Sequence, residues 1–375
     1  MSTLLKNTEL AFRRFLIKFF SVVTRHRRAL PHDVDFNSCK FLFVRQDRIG
    51  DVLISTPLFE VLKKTYPDAV VDVLLSPKNS FVLANDPLVR TRWIYDKGIR
   101  SSWKLIQAIR SEHYDFVIDL TDNPSATSTI ICLLSGARWT VGLEKENAYA
   151  YDVVVPLLSR KDTHIVDRIA QLLVPFGIDP SREQLQVRYI LSEQALSFSN
   201  RIFKESGMLP GKVIGINISA GHEVRFWGVD NFRKLVRLLR EKYPNSSILV
   251  LSKPAHRKYG EEIAKGFERV FLSPTTHSFD DFAALIRNVA VLVTPDTSAV
   301  HLASAFEIPS VVLYVQSNKD LRIWDPYKSR SEVLIADVDD LRVITPEDVF
   351  RATQRLLKLP RRTHPHKSKA VAARL

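Results

Sequence analysis

The sequence predicts an α/β protein built from two doubly wound domains, each on a parallel sheet. Three observations lead there. Short apolar runs such as FLFV (41–44), VVDVLL (70–75), VIGINIS (213–219) and VLV (291–293) have the composition of strands buried on both faces. Segments of helical period lie between them, and that alternation is the signature of a parallel sheet with crossover helices. The chain has 375 residues, more than one core usually holds, so two domains are the default.

Taken in order, residues 1–39 form a basic arm. Within it residues 8–28, TELAFRRFLIKFFSVVTRHRR, read as an amphipathic helix. Phe12, Leu16, Phe19, Phe20 and Val23 fall on one side, Arg14, Lys18 and Arg25 on the other, and Arg13 at the boundary. Such a helix suits the interface of an anionic lipid surface, and packing on the protein's own body is the competing reading. The charges within it argue against a membrane span.

The first domain occupies 40–180. A strand over 41–45 leads into QDRIGDVLISTP (46–57), a polar turn opening a helix that Leu58, Leu62 and Tyr66 continue. Pro67 and Asp68 close that helix before the strand 70–75. Residues 103–110 are helical, 116–120 a strand, 121–125 a loop, and a helix runs on through Leu134. A helix over 164–176 stops at Gly177. Residues 181–211, with a Gly and Pro cluster at the end, read as the connection between domains and contain one helix.

The second domain occupies 212–357 and repeats the alternation. Strands fall at 213–219, 248–251, 270–272 and 291–293, with helices at 231–242, 256–266, 279–288 and 346–357. In VLVTPDTSAVHLASAFEIPSVVLY (291–314) Pro295 stops a strand and Asp296 stands where a helix N-cap belongs. The amides of Thr297, Ser298 and Ala299 then form an open helix N-terminus at the carboxyl end of a parallel strand, a place that favours an anion. His301 lies one turn further on. The tail 358–375 is basic and has a disordered composition.

Charge refines the picture. The net charge is +13, yet residues 1–40 alone hold eight Lys/Arg against three Asp/Glu, and 358–375 hold six with no acid. The body between them is nearly neutral. That distribution fits basic ends meeting an anionic surface and disfavours a nucleic-acid groove. Two cysteines, Cys39 and Cys132, have no metal or disulfide spacing and read as inert core thiols. P-loop, G-x-G-x-x-G, G-x-S-x-G and H-E-x-x-H patterns are all missing, which removes support from ATPase, ordinary dinucleotide, hydrolase and zinc readings.

Three polar clusters each follow a strand. The first is Asp47, Arg48, Gly50 and Asp51, with Thr56 a turn later; Asp51 is either a helix cap or a general base. The second is Ser219, Gly221, His222 and Arg225; an Arg there can grip a diphosphate or form a plain surface ion pair. The third is the turn Asp296–Ser298. Taken alone, these residues reach only a two-domain α/β protein with an anion site in its second half.

The combination resembles glycosyltransferase family 9, the lipopolysaccharide heptosyltransferases. Residues 41–74 are similar to the family's opening, a strand followed by D-x-[IML]-G-D-x-[VLI]-x-[ST]-x-P, a helix and Y-P. Residues 293–314 are similar to its second hallmark, D-[ST]-[GA]-x-x-H-[LIV]-A, and RFWGVDNFRKL (225–235) to its basic residue before R-W-P. The order here is Arg225-Phe226-Trp227-Gly228, without the proline. The resemblance implies a GT-B architecture, two Rossmann-like domains facing a cleft. It implies inverting, metal-independent transfer of a sugar, heptose from ADP-heptose in the family, onto a lipid-linked lipopolysaccharide core saccharide.

On that basis Asp51 is the expected catalytic base. Ser219, Arg225, Asp296, Thr297, Ser298 and Ala299 are the expected donor-binding groups. Asp47, Arg48, Gly50, Thr56 and His301 are expected around the acceptor or the cleft. The expected setting is a monomer in the cytoplasm, peripheral on the inner face of the cytoplasmic membrane, with no secretory signal and no nucleic-acid partner. Competing readings are another nucleotide sugar for a different surface glycan, or a sugar-nucleotide epimerase of the same architecture.

Overall fold

The computed structural model describes residues 30–31, 33–316 and 324–358. The amphipathic helix expected over 8–28 and the tail from Pro360 lie outside the described residues.

Two parallel six-stranded sheets carry the chain. The first holds β1 (Lys40–Val44), β2 (Val70–Leu75), β3 (Thr91–Ile94), β4 (Phe116–Asp119), β5 (Trp139–Leu143) and β6 (Val153–Val155), in the order β3-β2-β1-β4-β5-β6. The second holds β7 (Val213–Asn217), β8 (Ile248–Leu251), β9 (Val270–Leu272), β10 (Val289–Pro295), β11 (Ser310–Val315) and β12 (Ser331–Ala336), in the order β12-β11-β10-β7-β8-β9. The order reverses beside β1 in one sheet and beside β7 in the other, so the crevice at each reversal opens at the carboxyl ends of those strands. β1 and β10 are nearly all apolar because they are covered on both faces.

The predicted α/β class holds, and the departures from it have local causes. The sequence reading passed over β3, β5, β6 and β12. β3, TRWI, is an edge strand of alternating half-burial with an Arg in it. β5 contains Gly142, which lets the ring of Tyr151 lie directly on the strand. The single helix expected after β1 is two: α1 (Ile49–Leu53) and α2 (Thr56–Thr65). Pro57 has no N–H to continue α1 and instead sits in the first turn of α2. The crossover helices of the first sheet continue with α3 (Ile99–Ser111), α4 (Ala126–Leu134) and α5 (Ile165–Ala170). After α5 the chain tightens to a 3₁₀ turn over Gln171–Phe176, where Pro175 falls, and Gly177 ends it at φ 71°.

The second lobe adds α6 (Glu193–Glu205), α7 (Val229–Lys242), α8 (Arg257–Ala264), α9 (Phe279–Arg287), α10 (Ser298–Ala305) and α11 (Pro346–Lys358). One apolar cluster runs from Phe41, Phe43 and Phe59 through to Ala299 and Leu302, so the lobes share part of their core. Polar ties reinforce the contact. Gln186 Nε2 donates to Ser304 O at 3.1 Å, His164 Nε2 lies 3.0 Å from Asp325 O, and Phe81 packs on Phe279 with centroids 5.4 Å apart. Cys39 and Cys132 are both buried free thiols, and burial raises the Cys39 thiol to about 11.

Candidate active site

The first wall of the site grows from the end of β1. Arg45 follows the strand and is buried, with Nη1 donating to Leu120 O at 2.7 Å and Nε to Asp51 O at 3.0 Å. Its Nη2 lies 3.4 Å from Asp51 Oδ1 and its Nη1 3.4 Å from Asp47 Oδ2. Asp51 Oδ2 accepts the N–H of Arg48 at 3.0 Å, closing the first turn of α1. The carboxylate is thereby fixed by a buried guanidinium on one oxygen and a backbone amide on the other. Burial raises the Asp47 carboxyl above the usual range, against the pull of Arg45.

The second wall grows from β7 and β10. Asn217, a polar residue in an apolar strand, donates from Nδ2 to Thr294 Oγ1 at 2.9 Å and to Thr297 Oγ1 at 3.3 Å. Its Oδ1 accepts the Ser219 amide at 3.0 Å, and Ser219 Oγ accepts the Lys253 amide at 2.9 Å. One asparagine therefore joins the turns after β7, β8 and β10. Arg225, on a 3₁₀ turn, places Nη1 2.8 Å from Asp296 Oδ2. Burial raises the Asp296 carboxyl, while Arg225 and then Arg48 of the opposite lobe oppose the rise.

Between these walls lies a cleft of about 940 Å³. Arg48, Gly50 and Asp51 line it from the first lobe, and Ser219, Arg225, Lys253, Asp296, Thr297, Ser298 and His301 from the second. Asp51 and Arg225 thus share one crevice from opposite lobes. His301 is buried and its imidazole is pushed down to about 3, chiefly by burial and then by His164, so it stands neutral. Its Nδ1 has no hydrogen-bond partner among the described residues. Among those residues no group of three or more His, Cys, Asp and Glu has metal-binding geometry.

A family model described as glycosyltransferase family 9 (heptosyltransferase) matches residues 102–348. The chain belongs to glycosyltransferase family 9. Lipopolysaccharide heptosyltransferase 3 of Escherichia coli K12 is 26% identical over 337 residues, which is 82% of this chain and 95% of that one. The crystal structure of a family 9 glycosyl transferase from Veillonella parvula has a TM-score of 0.75 at 19% identity, covering 86% of this chain and 98% of that one. An E. coli heptosyltransferase solved with ADP-2-deoxy-2-fluoro heptose has a TM-score of 0.69 at 18% identity, covering 84% and 99%. The two-lobed GT-B architecture that the resemblance implied is the one found.

Within this family 9 glycosyltransferase, three expected site residues do not line the cleft. Thr56 is buried, donating to Leu53 O at 2.7 Å and accepting the Arg188 amide at 2.8 Å; it ties α2 to the interdomain segment. Asp47 turns away toward Arg45, its side chain about one-third exposed. Ala299 is buried, and its amide donates to Thr297 Oγ1 at 3.3 Å. That bond also corrects the reading of Asp296 as helix cap. Thr297 is the N-cap of α10, which leaves the Asp296 carboxylate to Arg225. The missing family proline is accounted for by Gly228, which holds φ 94° ahead of α7, a conformation proline cannot adopt. Beside it Trp227 is buried with Nε1 donating to Ile344 O at 2.9 Å, and Phe226 stacks on Tyr259.

Sequence reasoning missed Arg45, Asn217 and Lys253. The first two carried a signal: each is a polar residue at the carboxyl end of an apolar, buried run, just before a cluster already marked as functional.

Proposed function

We propose that this enzyme transfers a heptose from ADP-heptose, with inversion, to a hydroxyl of a lipid-linked saccharide of the lipopolysaccharide core. The observation that carries the reading is the shared cleft, with Asp51 on one wall and Arg225 beside the α10 N-terminus on the other. The names of the relatives supply the sugar and the nucleotide.

The geometry suggests how each group acts. Two donors orient the Asp51 carboxylate, and its remaining lone pairs take the proton of the attacking hydroxyl. That oxygen attacks the anomeric carbon from the face opposite the diphosphate, and positive charge builds on the ring. The electron pair leaves with the diphosphate. Arg225, exchanging Asp296 for phosphate oxygens, and the first-turn amides of Thr297 and Ser298 meet the growing negative charge. Lys253, also on the wall, adds a cation beside them.

A cytoplasmic setting against the membrane is part of the proposal, since a lipid-linked acceptor is found there and the first 40 residues carry a net charge of +5. The deciding experiment incubates the protein with core saccharide acceptor and, in parallel, ADP-heptose, UDP-sugars and GDP-sugars. Mass spectrometry should find one added heptose from ADP-heptose alone, and NMR should find the inverted anomer. Transfer from another nucleotide sugar but not ADP-heptose would overturn the donor. Turnover of a nucleotide sugar with no acceptor present would favour an epimerase.

A further inference from the structure

We propose that the rim of the first lobe, centred on Trp103 of α3, is a contact surface for an anionic lipid bilayer. Trp103 is 59% exposed, the second most exposed of the large apolar side chains described. Arg100, Trp103, Lys104 and Gln107 fall at i, i+3, i+4 and i+7 and all face solvent, while Ile106 and Ile109 of the same helix are buried against the sheet. Residues 97–104, KGIRSSWK, carry three cations and no acid. A Trp among Lys and Arg on a helix is the composition of a membrane interface, where the indole sits at headgroup depth and the cations meet lipid phosphates.

Topology places this stripe beside the site. β1, β2 and β3 are adjacent and parallel, so their carboxyl ends share one edge with the cleft. Each is followed by an exposed cation on that edge: Arg48 after β1, Lys78 after β2, and Lys97 with Arg100 after β3. With strands about 4.8 Å apart, the row runs about 10 Å from the cleft wall out to α3. Elsewhere in this lobe Arg90 is committed to Asp72 and Lys145 to Asp119, while Arg92 and Arg110 donate to backbone carbonyls. Among the described residues no salt bridge engages Lys78, Lys97, Arg100 or Lys104. The exposed apolar area of this helix face is one indole, too small for a stable protein interface and suited to a shallow bilayer contact. A bilayer on this rim would present a lipid-linked saccharide to the cleft without the enzyme reorienting. In that purpose alone the inference rests on the proposed acceptor.

The test uses the full chain and sugar-free vesicles of phosphatidylethanolamine and phosphatidylglycerol doped with dibrominated phosphatidylcholine. The chain has five Trp, so Trp103→Phe isolates the signal of one. Bromine should quench the wild-type fluorescence, and most of that quenching should vanish in Trp103→Phe. Arg100→Glu with Lys104→Glu should lower co-sedimentation at least about tenfold, with ADP affinity unchanged. Equal quenching of wild type and Trp103→Phe overturns the proposal, as does unchanged sedimentation of the double variant; either would assign contact to the basic arm or to none. Binding through Trp103 in a protein that transfers no heptose would instead sink the proposed function and leave this surface standing.

Discussion

Gly50 and His301 meet where the two lobes touch: a side-chain carbon added at Gly50 would stand 2.7 Å from Cδ2 and 3.1 Å from Nε2 of the imidazole. The glycine is there for close approach, since the ring that faces it is buried and cannot swing away. Gly50→Ala must therefore push α1 and α10 apart. The expected cost is about 1–3 kcal/mol of stability, with a raised KM for the donor because the cleft widens at its base. Urea denaturation and donor titration check both, and wild-type values in each would mean the contact is slack.

The same histidine makes stability depend on pH. Its folded value is pushed from 6.5 down to about 3. Between those values the unfolded chain binds a proton that the folded chain refuses. Its neutral state therefore costs nothing above about pH 6.5, and the fold loses stability as pH drops below that, by on the order of 2 kcal/mol at pH 5. His301→Gln should flatten the loss between pH 7 and pH 5 in denaturation curves. Parallel curves for the two proteins would show that His301 is not the group responsible.

Asp51→Asn keeps an oxygen for the Arg48 amide and loses the base. Donor affinity should stay near wild type by calorimetry while transfer falls on the order of 100-fold or more. Near-normal turnover would take Asp51 out of the reaction.

Arg45 is the reason the Asp51 carboxylate can be buried at all. Arg45→Met leaves that charge without its partner, and stability should drop by roughly 3–5 kcal/mol. Adding Asp51→Asn to Arg45→Met should recover part of the loss, because the orphaned charge is gone. A double variant as unstable as the sum of the single ones would show that the two side chains are not coupled.

What could be read in the chain, and what could not, follows from range. β1, β2, β7, β8 and β10 were legible because strands covered on both faces are apolar along most of their length, with at most an isolated polar residue such as Asp72 or Asn217. β3 and β12 were not, because edge strands are half-solvated and mix polar residues into the run. Gly50, Asp51 and Arg225 were marked by the turns they occupy. Yet nothing local distinguishes Thr56, which folds under to meet Arg188, from a hydroxyl facing a substrate. The choice of Thr297 over Asp296 as cap likewise depends on Asn217 and Arg225, both more than seventy residues away and each competing for one of the two side chains.

That competition sets up the last prediction. Arg225 holds Asp296 at 2.8 Å, so a diphosphate must displace a half-buried carboxylate to reach the guanidinium. Arg225→Ala should weaken ADP binding about 10- to 100-fold, the worth of a charge-assisted contact. Asp296→Asn should do the opposite for ADP, tightening it a few-fold, since the guanidinium is released and a negative charge is removed from beside the phosphates. If Asp296 also holds the sugar, the same variant should gain nothing for ADP-heptose, and the preference for the full donor over ADP should shrink. Calorimetry with both ligands separates the roles. Weaker ADP binding in Asp296→Asn would mean that the carboxylate positions Arg225 for the phosphates instead of competing with them.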